Sequence, residues 1–338
     1  MIPVGKGATI FGCAGPVLTP DERAFFRDAD PLGFILFARN VETPDQVRRL
    51  TADLRDAVGR DAPVLVDQEG GRVQRLRAPH WREWLPPLDQ VARSGPRAAE
   101  GMAIRSRIIA AELRAVGIDA NCAPCADLAT DTTHPFLRNR CYGTDPAQVA
   151  AVARAVADAH LAGGVLPVAK HMPGHGRSTA DTHHDLPTVI EDAATLEETD
   201  FAPFRALADL PMAMTAHVVF AAHDPAHPAT QSPAMIRVIR EQIGFKGLLL
   251  TDDLNMQALS GTLAQRAARA IAAGCDIALH CKGDLAEMQS VAAAAGAMGP
   301  ATLSRATAAL SARRNPDPVD IARLEADLAM ILQEAAHG

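Results

Sequence analysis

A carboxylate and an imidazole two residues apart, Asp181-Thr182-His183, end the segment Lys170-His171-Met172-Pro173-Gly174-His175-Gly176-Arg177-Ser178-Thr179-Ala180-Asp181-Thr182-His183. At that spacing in a glycine-containing loop, the aspartate can reach the ring and fix its tautomer, leaving the other nitrogen to move a proton. The pair points to a histidine acid/base on a loop. The same residues could build a surface turn, or a metal site with His171, His175 and His184. Pro173 and Gly174 remove the helical face on which two histidines four apart converge, so neither metal nor cofactor is expected.

Three further groups carry chemistry. Thr251-Asp252-Asp253 follows the apolar run Gly247–Leu250, and strand alternation aims one carboxylate at the strand's open end and the other towards the following segment. Asp252 can then act as a nucleophile, although both could instead cap a helix beginning near Leu254. In Asp67-Gln68-Glu69-Gly70-Gly71-Arg72-Val73-Gln74-Arg75, the Gly-Gly pair lets the backbone turn so that Asp67 and Arg75 face one ligand. A carboxylate beside a guanidinium suits a polyol, and a salt bridge between the two is equally compatible. Arg140, Lys170 and His171 are read as donors to hydroxyl or amide oxygens.

These residues need a frame that brings them together. Short apolar runs alternate with segments of helical periodicity, and the runs are Ala8–Cys13, Gly33–Phe37, Pro63–Val66, Ile118–Ala123, Val165–Ala169, Met212–Ala216, Gly247–Leu250 and Cys275–His280. The intervening helices are expected at Thr43–Val58, Pro96–Val116, Pro146–Ala162, Leu196–Ala208, Pro233–Gln242, Thr262–Ala273 and Asp284–Ala295. The pattern predicts an α/β fold, a single (β/α)8 TIM-type barrel over residues 1–338, with a helix at 318–336 packed outside it. In such barrels chemistry sits at the C-terminal ends of the strands, where Asp67, Lys170-His171, His217 and Asp252-Asp253 all fall.

Composition agrees. Of the 338 residues 48% are hydrophobic but only 4% aromatic, which suits aliphatic parallel strands covered by helices. Thirty-three Lys and Arg against 40 Asp and Glu give a net charge of −7 with no charge blocks, which disfavours nucleic acid and anionic membranes as partners. The N-terminus has no signal pattern and no apolar run spans a bilayer, so a cytoplasmic protein is expected. Of six cysteines only Cys122-Ala123-Pro124-Cys125 forms a close pair; it follows a strand-like run rather than opening a helix and has no second pair to complete a zinc site, so buried, inert thiols are expected.

With these motifs assembled, the chain resembles glycoside hydrolase family 3, in particular its short β-N-acetylhexosaminidases of bacterial peptidoglycan recycling. The likeness is carried by Gly33-Phe34-Ile35-Leu36-Phe37-Ala38-Arg39-Asn40, by Val66 to Arg75, by Lys170 to Gly176 with Asp181-Thr182-His183, and by Thr251-Asp252-Asp253-Leu254-Asn255-Met256. It implies Asp252 as nucleophile, His183 as acid/base oriented by Asp181, and sugar binding by Asp67, Arg75, Arg140, Lys170 and His171. Thr182 and Thr251 stand where Ser is common, Met172 replaces a frequent Phe, and Cys141 follows Arg140 where Ser is typical. The implied reaction is retaining removal of terminal N-acetylglucosamine from muropeptide fragments such as GlcNAc-1,6-anhydro-MurNAc, a small-molecule glycan partner. Phosphorolysis of the same bond, or sugar binding without turnover, are the alternatives.

Overall fold

The computed structural model describes residues 3–179, 182 and 185–334. Eight parallel strands form the centre: β1 (Gly7–Phe11), β2 (Pro31–Leu36), β3 (Val64–Val66), β4 (Ala120–Asn121), β5 (Leu166–Met172), β6 (Met212–Thr215), β7 (Leu248–Leu250) and β8 (Ala278–His280). Each pairs in parallel with the next in sequence from β1 to β7. Strand β8 returns to β1 through Thr9–Ala278, Ile10–Leu279 and Phe11–His280. The last seam, between β7 and β8, is the bridge Leu250–Ile277, where Asp276 N donates to Leu249 O at 2.8 Å and Thr251 N to Ile277 O at 2.9 Å. The ring is thereby closed, and every strand lies within or overlaps one of the expected apolar runs.

Helix ends follow their caps. Thr43 and Asp145 accept from Gln46 N and Gln148 N at the starts of Pro44–Val58 and Pro146–Ala162, each with proline in the first turn. Thr262 and Gln265 form a reciprocal capping box ahead of Leu263–Ala273. Thr19 and Glu22 do the same ahead of Pro20–Ala29, a helix absent from the expected set although its Thr-x-x-Glu signature is present. Two more, Pro87–Ser94 and Pro300–Ser311, begin without a side-chain cap and were equally unmarked.

The expected helix Leu196–Ala208 is instead two short ones, Ala193–Glu198 and Ala202–Arg205. Pro203 cannot continue a helix but can open one. Between the two helices, the Asp200 carboxylate is drawn to Arg177 Nε at 2.7 Å, which ties the break to the loop after β5. The C-terminal helix runs Ile321–Glu334 and packs outside the barrel on Ala98–Ala115 and Pro87–Ser94, burying Leu328 and Ile331. It starts later than expected because Asp320, through its carboxylate on Arg323 N at 3.1 Å, caps it. Positions 335 and 336 lie outside the described residues. No helix among the described residues is long and apolar enough to cross a membrane.

The two ends of the barrel differ in chemistry. Preceding β4 and β8, buried Asp119 pairs with Arg55 and Arg313, and buried Asp276 pairs with Arg240 and Arg305. These pairs tie outer segments to the strands' N-terminal ends. All six cysteines are buried, and none is joined in a disulfide.

Candidate active site

At the opposite end, the chain after β3 folds into an antiparallel hairpin, Gln68–Gly70 with Val73–Gln74. Gly70 and Gly71 turn it with φ of 107° and 57°. A Cβ on Gly70 would overlap the buried Arg105 guanidinium, so this position needs glycine for space as well as conformation. Gln68 Oε1 accepts from Arg75 N at 2.9 Å and Leu76 N at 3.0 Å, which brings the end of the segment back to its start. Arg75 Nη2 consequently lies 3.0 Å from Asp67 Oδ2. Both residues also line one cavity, so the salt bridge and the shared ligand face coexist.

That cavity, of about 220 Å³, is also lined by Arg140, Lys170, His171, Asp252 and Asp253, with Phe37, Phe136, Met214 and Met256 supplying apolar wall. It therefore gathers every candidate site residue that falls within the described part of the chain. Asp181 and His183 lie outside the described residues. Thr182 between them is buried, lines the cavity and accepts from Ala258 N at 3.2 Å through its carbonyl.

The charges are knitted by residues the sequence reading passed over. Glu69 holds Arg140 in a two-pronged pair, Nε to Oε2 and Nη2 to Oε1, both at 2.9 Å, and its Oε1 takes Lys170 Nζ at 2.6 Å. Lys170 Nζ also reaches Asp67 Oδ1 at 2.7 Å. Burial works against the Glu69 anion, but Arg140 and Lys170 outweigh it and hold its pKa down at about 2. Burial likewise opposes the Lys170 cation, and Asp67 and Glu69 outweigh it, so that its pKa lies above the ordinary lysine value. This is a buried, mutually satisfied cluster, which needs all its members.

Asp127 is the second missed residue. Its Oδ2 accepts from His171 Nδ1 at 2.7 Å and from Cys125 Sγ at 3.2 Å, and its Oδ1 accepts from His175 N at 2.7 Å. Cys125, Asp127 and His171 are ligand types for a cation. Yet the separations of 2.7 and 3.2 Å are hydrogen bonds; neighbouring ligands around a tetrahedral zinc stand about 3.3 Å apart or more. The His171 and His175 rings are 5.4 Å apart.

The adjacent carboxyls after β7 are differentiated. Burial disfavours the Asp252 anion, but the hydrogen bond from the Asp253 amide and the Lys170 cation act against it, and its pKa lies below the ordinary aspartate value. Burial raises that of Asp253, and the neighbouring Asp252 charge adds to the rise against hydrogen bonds from Asn255 N and Cys281 N. No helix follows at Leu254; Asp253 Oδ1 instead caps the turn at Asn255 N, 3.1 Å, and takes Cys281 N, 3.1 Å. The loop is further pinned by Leu279 N on Thr251 Oγ1 at 2.9 Å, and by His217 Nε2, 3.1 Å from the Asp253 carbonyl. Among the described residues, the Asp252 side chain accepts a hydrogen bond only from Asp253 N, at 2.8 Å. A preferentially ionised carboxylate therefore faces the cavity with little competing engagement.

Beneath the hairpin, Asn121 accepts from Gln68 N at 2.9 Å and contacts His160 Nε2 at 2.9 Å, while His160 Nδ1 lies 2.8 Å from Val156 O. Only a neutral ring satisfies both contacts, with Nδ1–H donating and Nε2 accepting. Burial lowers the His160 pKa to about 4, with Arg105 adding to the effect against the Val156 hydrogen bond. Burial also lowers that of His175 to about 4, against the nearby Asp127 carboxylate. Unfolded, both titrate near the ordinary 6.5, so between pH 6.5 and 4 the unfolded chain binds more protons. Their contribution to stability is present above pH 6.5 and lost as pH falls towards 4. The urea midpoint is expected to drop from neutral to mildly acid pH, and His160→Gln to flatten that drop; an unchanged pH slope would contradict the assignment.

Comparison with known proteins agrees with this geometry. The chain matches the N-terminal domain of glycosyl hydrolase family 3 over residues 21–311. It is 38% identical over 291 residues to a β-hexosaminidase of Bordetella avium, covering 83% of this chain and 82% of that one. A β-hexosaminidase of Pseudomonas aeruginosa is 37% identical over 282 residues, covering 82% of each. Native NagZ from Neisseria gonorrhoeae superposes with a TM-score of 0.83 at 29% identity, over 99% of this chain and 97% of that one. The same protein in complex with N-trifluoroacetyl-D-glucosamine gives 0.85 at 28%, over 99% and 100%. A closed barrel, a mouth cavity lined by paired charges and a match along most of its length together make this chain a glycosidase belonging to glycosyl hydrolase family 3.

Proposed function

We propose that the protein is a retaining exo-β-N-acetylglucosaminidase, one catalytic barrel over residues 1–338, with Asp252 as nucleophile and His183 as acid/base. The observation that carries this reading is the gathering of ionised Asp252 with Asp67, Arg75, Arg140, Lys170 and His171 around one cavity. Paired carboxylates and cations suit adjacent sugar hydroxyls, since the former accept and the latter donate. Relatives named β-hexosaminidase and a structural neighbour holding an N-acylated glucosamine support an acetamido sugar as substrate.

In this reading Asp252 attacks the anomeric carbon and the bond to the leaving oxygen breaks as His183 donates its proton. His183, then neutral, takes a proton from water, which hydrolyses the glycosyl-enzyme. Asp181 orients the His183 ring and favours its protonated form. Peptidoglycan fragments such as GlcNAc-1,6-anhydro-MurNAc, met in the cytoplasm, are the proposed substrates.

The test is turnover of an aryl N-acetyl-β-glucosaminide beside the matching aryl β-glucoside, with products identified in phosphate and in phosphate-free buffer. Cleavage of the acetamido substrate to free sugar in both buffers is expected. Sugar 1-phosphate would reassign the reaction to phosphorolysis, and preference for the plain glucoside would reassign the substrate.

A further inference from the structure

Asp127 belongs to neither the nucleophile loop nor the sugar-contacting set, and it is fully buried. Its carboxylate nevertheless takes hydrogen bonds from both ends of the segment His171 to His175. The His171 amide lies 3.2 and 3.3 Å from its two oxygens, and the His175 amide 2.7 Å from Oδ1. The contact with consequences for chemistry is His171 Nδ1 at 2.7 Å from Oδ2. A carboxylate only accepts, so Nδ1 carries hydrogen. The other ring nitrogen, Nε2, lies 3.3 Å from Arg140 Nη2. Arginine only donates, and one Nη2 hydrogen is already committed to Glu69 Oε1 at 2.9 Å. The second is left to point at Nε2, which must then be a lone pair; an Nε2–H there would set two donors against each other.

We propose that Asp127 is a positioning residue that locks His171 as the neutral Nδ1–H tautomer, so that His171 Nε2 is an acceptor, met here by Arg140 Nη2 and taken over by a sugar hydroxyl that inserts between the two. The role as acceptor reverses the donor role expected from sequence. It complements the cavity, where Arg75, Arg140 and Lys170 supply donors and Asp67 and Asp252 are carboxylate acceptors. A hydroxyl can then donate to His171 while accepting from a neighbouring cation, which fixes its orientation. The sugar part of this inference rests on the function proposed above; the tautomer does not.

Asparagine at position 127 separates the two. With its oxygen kept on His175 N, its amide would donate to His171 Nδ1 and force hydrogen onto Nε2, against Arg140. Long-range proton–nitrogen spectra of the full chain without sugar read the tautomer, the His171 signals being identified by their loss in His171→Ala. At neutral pH the wild type is expected to show the Nδ1–H form and Asp127→Asn the Nε2–H form. Asp127→Asn is expected to raise KM for the aryl N-acetyl-β-glucosaminide by about three- to tenfold, the scale of one lost neutral hydrogen bond. In a His171→Ala background the same substitution should change KM less than about twofold, because coupling runs through the ring.

A wild-type His171 found as Nε2–H or as imidazolium overturns the proposal, even if Asp127→Asn does not fold. An equal Asp127→Asn effect with and without the His171 ring overturns it too, leaving Asp127 structural only. An Nδ1–H tautomer in a protein inactive on the glycoside would sustain the Asp127–His171 coupling and overturn the substrate reading.

Discussion

Asp252→Asn is expected to reduce kcat for an aryl N-acetyl-β-glucosaminide by on the order of 10⁴-fold or more, the scale seen when a nucleophile is removed from a preformed site. Folding should survive, because an asparagine oxygen can keep the hydrogen bond that the Asp252 side chain accepts from Asp253 N at 2.8 Å. The distinction from Asp253 sharpens the expectation. Asp253 Oδ1 takes both Asn255 N and Cys281 N, so Asp253→Ala, which removes that oxygen, should cost stability as well as activity. Steady-state kinetics beside urea unfolding separates the pair. A residual rate within about tenfold of wild type in Asp252→Asn would leave the carboxylate no nucleophilic role.

The second large effect falls on a residue that touches no substrate in this account. Glu69→Ala would strand Lys170 and Arg140 in a buried site, with Asp67 left to balance them. Removing one partner from a buried ion cluster typically costs about 3–5 kcal/mol, a large share of the roughly 5–15 kcal/mol that holds a domain together. Urea unfolding reads this directly, and KM should rise with it because Arg140 and Lys170 lose their aim. A fair control is Glu83→Ala, whose pair with Arg77 is 48% and 43% exposed, and which should change stability by about 0–1 kcal/mol. Equal effects of the two would show that the Glu69 cluster is not the buried, interdependent unit described here. The same logic sets a pH trend. The Glu69 pKa is about 2 in the fold against 4.5 ordinarily, so its contribution is present above pH 4.5 and lost as pH falls towards 2.

What the sequence discloses and what it hides divide along contact range. The barrel is written in local pattern, since a run such as Leu248–Leu250 between a glycine and Thr251-Asp252 needs only alternation and turn chemistry to be read as a strand. The hairpin from Asp67 to Arg75 is legible for the same reason, as Gly70-Gly71 can only be a turn. Glu69 and Asp127 are not legible. Their roles arise from partners 71 and 44 residues away, and neither position differs locally from an ordinary buried or capping acid. His160 reads as one more residue on a helix until Asn121 appears across from it, 39 residues earlier. The broken helix around Asp200 failed in a different way, because helical periodicity outweighed Pro203, and the pull of Arg177 has no local sign. The Thr19 to Glu22 capping box, by contrast, is a local signal of a helix start.

A retaining mechanism through Asp252 requires a covalent bond between sugar and protein. Incubating the wild-type enzyme with a fluorinated N-acetylglucosaminide analogue that slows release of the intermediate, then digesting and mapping by mass spectrometry, would locate it. The account predicts one glycosyl adduct on the peptide containing Asp252, which turns over when excess acceptor is added and is missing in Asp252→Asn. Turnover of the substrate with no adduct on any residue, or an adduct on another carboxylate, would contradict it.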